Sequence, residues 1–133
     1  MFYTSCQYVC PLIIETMKKT QHALSDAEQA RLKVLLVSFD PERDSAARLQ
    51  EVFDERKLDA GSWTLARTDA PSVRKLAAVL GVQYRALANR EINHSTYIVL
   101  LDADGRIVAR TDKLGAIDPE FVAALHKALA AGS

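Results

Sequence analysis

The chain has 133 residues, a length that suits one domain and leaves no room for two. Hydrophobic residues make up 49% and charged residues 26%, with Lys+Arg and Asp+Glu at 17 each and a formal net charge of zero. This balance excludes a disordered or low-complexity chain, offers no basic field to a nucleic acid, and includes no apolar run near the ~20 residues of a membrane span.

Taken in order, Cys6 and Cys10 stand four apart near the start, and Pro11 follows. Proline suits the first position of a helix, where its missing N–H costs nothing, so the sequence predicts a helix from Pro11. Leu12, Ile13, Thr16, Met17 and Leu24 recur at roughly helical spacing as its inner face, with Lys18 and Lys19 outward. Ser25-Asp26-Ala27-Glu28 reads as a capping box opening a further turn. Lys33–Phe39 is almost wholly apolar and predicts a strand buried on both faces, as in parallel sheets. Asp40-Pro41-Glu42-Arg43-Asp44 breaks it, and Ser45 caps a helix through Arg56 with Leu49, Val52 and Phe53 inward.

Trp63–Ala66 predicts the next strand. Pro71 opens a helix that buries Val73, Leu76, Ala77 and Leu80, and Gly81 stops it. Thr96–Leu101 and Arg106–Arg110 flank Asp102-Ala103-Asp104-Gly105, a hairpin turn. Asp118-Pro119 starts the last helix, with Phe121, Val122, Leu125 and Leu129 inward. Alternating α and β units followed by a hairpin and helix predict an α/β sandwich around a mixed sheet, in a single domain over residues 1–133.

Two cysteines are too few for a disulfide-built scaffold, so their position carries the information. Residues four apart on a helix share one face, with Cβ atoms ~5–6 Å apart. That geometry permits an intramolecular disulfide or a shared soft metal ion, and proximity to a helix N-terminus favours the thiolate that both reactions need. An inert bridge or a small buried pair is the purely structural alternative; such a short loop would gain little entropic stabilisation. By ligand softness two thiolates select Cu(I), with Zn(II) the usual competitor, and a histidine is wanted to complete the site.

Three histidines are available. His22 reads as a solvated side chain on the first helix, and His126 as a favourable charge near a helix end. His94 stands apart, because Asn93-His94-Ser95 forms a polar break before the buried strand Thr96–Leu101. Spacing alone does not bring it to the cysteines. Asp40 and Asp44 read as turn and capping residues, with a catalytic or metal role the weaker alternative. Asp102, Asp104 and Gly105 read as turn chemistry, since a calcium loop needs more acidic ligands.

Three blocks carry a family resemblance: Phe2-Tyr3-Thr4-Ser5-Cys6-Gln7-Tyr8-Val9-Cys10-Pro11, then Val37-Ser38-Phe39-Asp40-Pro41-Glu42-Arg43-Asp44, then His94-Ser95 ahead of Leu100–Gly105. In this order the chain resembles the SCO1/SenC family over essentially its whole length. The resemblance implies a thioredoxin-like fold, a mixed central sheet flanked by helices and ending in a β-hairpin and C-terminal helix. It also implies a copper site for Cu(I) and Cu(II) at Cys6, Cys10 and His94. The implied role is assembly of the CuA centre of cytochrome c oxidase, with the subunit carrying that centre, or another copper or thiol protein, as partner. Gln7-Tyr8 and Asn93 depart from the family pattern, and Asn93 stands where an acidic neighbour of the imidazole is usual.

Family domains carry an N-terminal hairpin and most of a strand before the cysteine block, together with a membrane anchor or secretion signal. Here Met1 falls inside that strand, which predicts an unpaired edge beside Val34–Phe39 and self-association through it. A copper-handling dithiol that cycles through a disulfide belongs outside the reducing cytosol, and the resemblance implies the periplasmic side of the inner membrane. A thiol–disulfide oxidoreductase using Cys6 and Cys10 to reduce a partner's cysteines is the alternative function on the same fold.

Overall fold

The computed structural model describes residues 9–81, 84–86, 92–94 and 97–131, with side chains described for 11–81 and 97–130. In chain order its elements are α1 (Val9–His22), α2 (Asp26–Arg31), β1 (Val34–Val37), α3 (Ala46–Glu55), β2 (Trp63–Ala66) and α4 (Ala70–Leu80). There follow β3 (Tyr84–Ala86), β4 (Ile92–His94), β5 (Ile98–Leu101), β6 (Ile107–Thr111) and α5 (Pro119–Ala131). The chain forms two compact units, Met1–Cys10 with Lys33–Thr96 and Pro11–Leu32 with Tyr97–Ser133.

In the first unit β1 and β2 pair in parallel, from Val34 opposite Trp63 to Val37 opposite Ala66. A parallel pair needs a crossover, and α3 supplies it. Ser45 caps α3 by accepting the Arg48 N–H at 3.1 Å, and Leu49 and Val52 form its buried stripe. Trp63, Leu36, Phe39 and Leu58 join them in the core. α4 follows from an Asp69 cap and a proline in its first turn, buries Val73 and Ala77, and ends at Gly81 with φ 72°. That left-handed angle strains a residue with a Cβ, which is why glycine ends the helix there.

β1 departs from the sequence expectation. Val34 and Leu36 are buried, but Leu35 is 58% exposed, so the strand alternates instead of burying both faces. The antiparallel pair β3–β4 is a second difference, because the sequence reading placed Asn93 and His94 in a polar break. The pairing forms although Asn93, opposite Arg85, is of a type depleted in strands.

In the second unit β5 and β6 form the expected antiparallel hairpin, with a register shift between Leu100 and Leu101. Asp102 closes its turn: Oδ1 accepts the Asp104 and Arg106 N–H groups, each at 2.9 Å. Ile13, Ile14, Leu24, Ile98, Leu100, Phe121 and Leu125 are the buried apolar residues of this unit. The helix α1 begins two residues earlier than Pro11, which still falls in the first turn, where backbone N–H groups have no helical partner.

The inner face of α1 also differs from expectation. Ile13, Thr16 and Leu24 are buried as expected, but Leu12 is 39% exposed and Thr20 is buried with Thr16. The Thr16 and Thr20 hydroxyls donate to the Leu12 and Thr16 carbonyls at 2.7 and 2.8 Å, so burial leaves neither unsatisfied. Thr16 Oγ1 also accepts the Gly115 N–H at 2.8 Å, pinning the loop before α5. Among the described residues no helix is long and apolar enough to cross a membrane.

Candidate metal centre

Cys10 is the second residue of α1, in its first turn, where unpaired N–H groups and the helix dipole give a positive end. His94 is the last residue of β4 and lies opposite Tyr84 across the β3–β4 ladder. Remote in sequence, Cys10 and His94 belong to the same compact unit. Cys6 lies outside the described residues, as do the side chains of Cys10 and His94. Among the described residues no group of three or more His, Cys, Asp or Glu could hold a metal ion.

The remaining candidates have structural partners. Asp44 is fully buried, and its Oδ2 accepts the Ser38 hydroxyl at 2.6 Å. Ser38 Oγ in turn accepts the Asp40 N–H at 2.9 Å, and the Asp40 carbonyl accepts the Asp44 N–H at 2.8 Å. Asp40 pairs through Oδ2 with the Arg43 guanidinium. The block from Ser38 to Asp44 is therefore a turn after β1 in which both aspartates serve as turn residues, and Arg67 ties it to the end of β2 by donating to the Pro41 carbonyl at 2.6 Å. Sequence analysis does not single out Ser38, the hinge of this network; its position two residues before Asp40 is the available signal, a serine–backbone turn.

Outside this unit, His22 ends α1 and is exposed. His126 lies in α5, and its Nδ1 is 2.6 Å from Glu28 Oε2 on α2. Glu28 is held below the ordinary carboxylate range, first by His126 and then by the Ser25 backbone N–H. No sequence pattern announces this pair, because its members lie on separate helices far apart in the chain. A cleft of about 460 Å³ between α3 and β2 is walled by residues such as Leu49, Phe53, Trp63 and Leu65, and none of its walls carries a candidate ligand.

Comparison with solved structures finds the same fold at low identity. ScoI from Bradyrhizobium japonicum with copper bound matches at 23% identity and a TM-score of 0.77, covering 96% of this chain and 81% of that one. A SCO1/SenC family lipoprotein from Bacillus anthracis matches at 20% and 0.83, covering 96% and 77%. ScoI from Arabidopsis thaliana with copper bound matches at 17% and 0.78, covering 95% and 81%. No curated protein matches significantly. The sequence model of the SCO1/SenC family matches residues 1–130, a span that includes both cysteines and His94. The α/β fold is the thioredoxin-like one of these neighbours, and the chain belongs to the SCO1/SenC family.

Proposed function

We propose that this protein carries copper, held by the thiolates of Cys6 and Cys10 with the imidazole of His94 completing the site. The observation that supports this most is the family match across residues 1–130, which includes all three donors. Two family neighbours are solved with copper bound. The donor set fits the cargo: thiolates are soft and favour Cu(I), while a borderline imidazole extends the site to Cu(II). Cys10 at the positive end of α1 is in the position that favours its thiolate form.

Delivery is a ligand exchange. A thiolate of the recipient bonds to the ion as one of these two leaves, and the second exchange follows, with no change of oxidation state. The recipient is the subunit of cytochrome c oxidase that carries the CuA centre, reached on the periplasmic side of the inner membrane. A site whose donors exchange one at a time suits a carrier better than a permanent cofactor site.

Native mass spectrometry of the chain with added Cu(I) under reducing conditions tests the site. One copper per chain is expected, and Cys10→Ser or His94→Ala lowers affinity by at least about tenfold, since even outer-shell changes cost that much. Unchanged stoichiometry and affinity in both variants would overturn the proposal. Fast metal-free turnover of a disulfide substrate, indifferent to His94→Ala, would favour the thiol–disulfide reading of the same cysteines instead.

A further inference from the structure

The second unit holds a contact that the metal chemistry leaves unused. α2 is six residues long, too short to persist as an isolated helix in water, and none of its residues is buried. Its termini are closed locally. Ser25 and Glu28 form the capping box, the Gln29 amide side chain donates to the Leu24 carbonyl, and the Leu32 N–H returns to Glu28 and Gln29. Among the described hydrogen bonds and ion pairs, the side-chain contact that leaves α2 for another helix is Glu28 Oε2 to His126 Nδ1 at 2.6 Å. The other carboxylate oxygen accepts the Ser25 N–H at 3.1 Å, so the capping box aims the group at α5.

We propose that this pair is a protonation-controlled clasp: a charged His126 docks α2 on α5, and a neutral His126 releases α2 while the rest of the unit stays folded. Imidazole is the side chain whose charge ordinarily changes between about pH 5 and 8. The imidazolium adds its own charge to a bond that the ionised Glu28 carboxylate already makes charge-assisted. A neutral ring keeps a bond to Glu28 only in the tautomer with its single proton on Nδ1. Glu28, held below the ordinary carboxylate range, stays ionised throughout this window.

The other charged groups of the elements involved do not supply the pH dependence. On α2 these are Asp26 and Arg31, and on α5 Glu120 and Lys127. None of the four is a histidine, the side-chain type whose charge ordinarily changes in this window. The positions three and four residues from His126 on its own helix, Val122, Ala123, Leu129 and Ala130, carry no charge. β6 also packs on α5, and its charged side chain Arg110 lies over the Tyr97 ring, 4.6 Å from the centroid.

Amide hydrogen exchange on the whole chain at about pH 5.5 and about pH 8 tests the clasp, with rates corrected for chemical exchange. Protection at Gln29 and Leu32 falls about two- to fivefold at the higher pH, the scale of an exposed charge pair. The Val52 amide in α3 and the Leu125 amide in α5 show no such change. Glu28→Gln keeps an acceptor for the capping box but no charge, so α2 becomes less protected and indifferent to pH. Backbone chemical shifts of Ala27 and Ala30 report the same helix without requiring slow exchange, and move toward coil values at the higher pH only in the parent chain. Equal α2 protection and shifts at both pH values, or a pH response that survives in Glu28→Gln, would overturn the inference.

Discussion

The turn after β1 and the turn between β5 and β6 are both closed by an aspartate, yet they lie at opposite ends of the burial scale. In the first, Asp44 and Ser38 are each 0% exposed and bond to one another. In the second, Asp102 accepts two backbone N–H groups at a turn whose other residues, Ala103, Asp104 and Gly105, are exposed. Similar short side chains close both, so what separates them is access to water. An exposed acceptor that loses its donor finds a water molecule, whereas a buried donor left behind has nothing to replace its partner. The buried turn therefore holds the larger energetic stake, and it falls in the block that carried the family resemblance.

Substitution should separate the two turns in order of burial. Asp44→Ala removes the acceptor of the Ser38 hydroxyl and leaves a void, with an expected loss of about 2–4 kcal/mol in denaturant unfolding. Asp44→Asn retains an acceptor oxygen and most of the volume, and recovers more than half of that loss. Gly105→Ala meets no atom within 4 Å but places a Cβ at φ 81°, so its cost of about 1 kcal/mol is backbone strain alone. Asp102→Ala costs about 0.5–1 kcal/mol, because solvent takes over its contacts. An Asp102→Ala penalty equal to that of Asp44→Ala would break the contrast.

The smallest effect is a pH dependence at the end of the hairpin. Asp118 is held below the ordinary aspartate range, first by the Thr111 hydroxyl, which donates to Oδ2 at 2.7 Å, with backbone donors and Lys113 adding to it. A carboxyl with a lowered folded-state pKa stabilises the fold above the ordinary aspartate range, near about pH 4, and the gain is lost as pH falls through the lowered value. Thermal melts from neutral to acid pH should lose less stability on the acid side in Thr111→Val than in the parent chain. Parallel acid profiles would show that this bond contributes nothing measurable.

Local signals made much of this fold legible. Ser45 to Arg56 brackets α3, Trp63–Ala66 is β2, Gly81 ends α4, and the Asp102–Gly105 turn joins β5 to β6. Each rests on a cap, a glycine or an aspartate whose chemistry acts within a few residues. The face of α1 is less legible at Leu12 and Thr20, because hydropathy ranks Leu12 above Thr20, whereas threonine can satisfy its hydroxyl on its own helix and be buried. β3 and β4 were missed because three-residue strands have no period to read, and Leu35 because an apolar run does not reveal which of its faces is covered. For the candidate site, donor chemistry was readable at Cys6, Cys10 and His94, but the fold-level link between Cys10 and His94 was not. That link depends on chain topology, which here gathers both into one compact unit.

X-ray absorption at the copper edge of the Cu(I)-loaded chain tests the ligand assignment most directly. The account predicts two sulfur scatterers and one nitrogen scatterer around the ion, with the nitrogen shell lost in His94→Ala and a sulfur lost in Cys10→Ser. A parent spectrum without sulfur, or one that His94→Ala leaves unchanged, would contradict it.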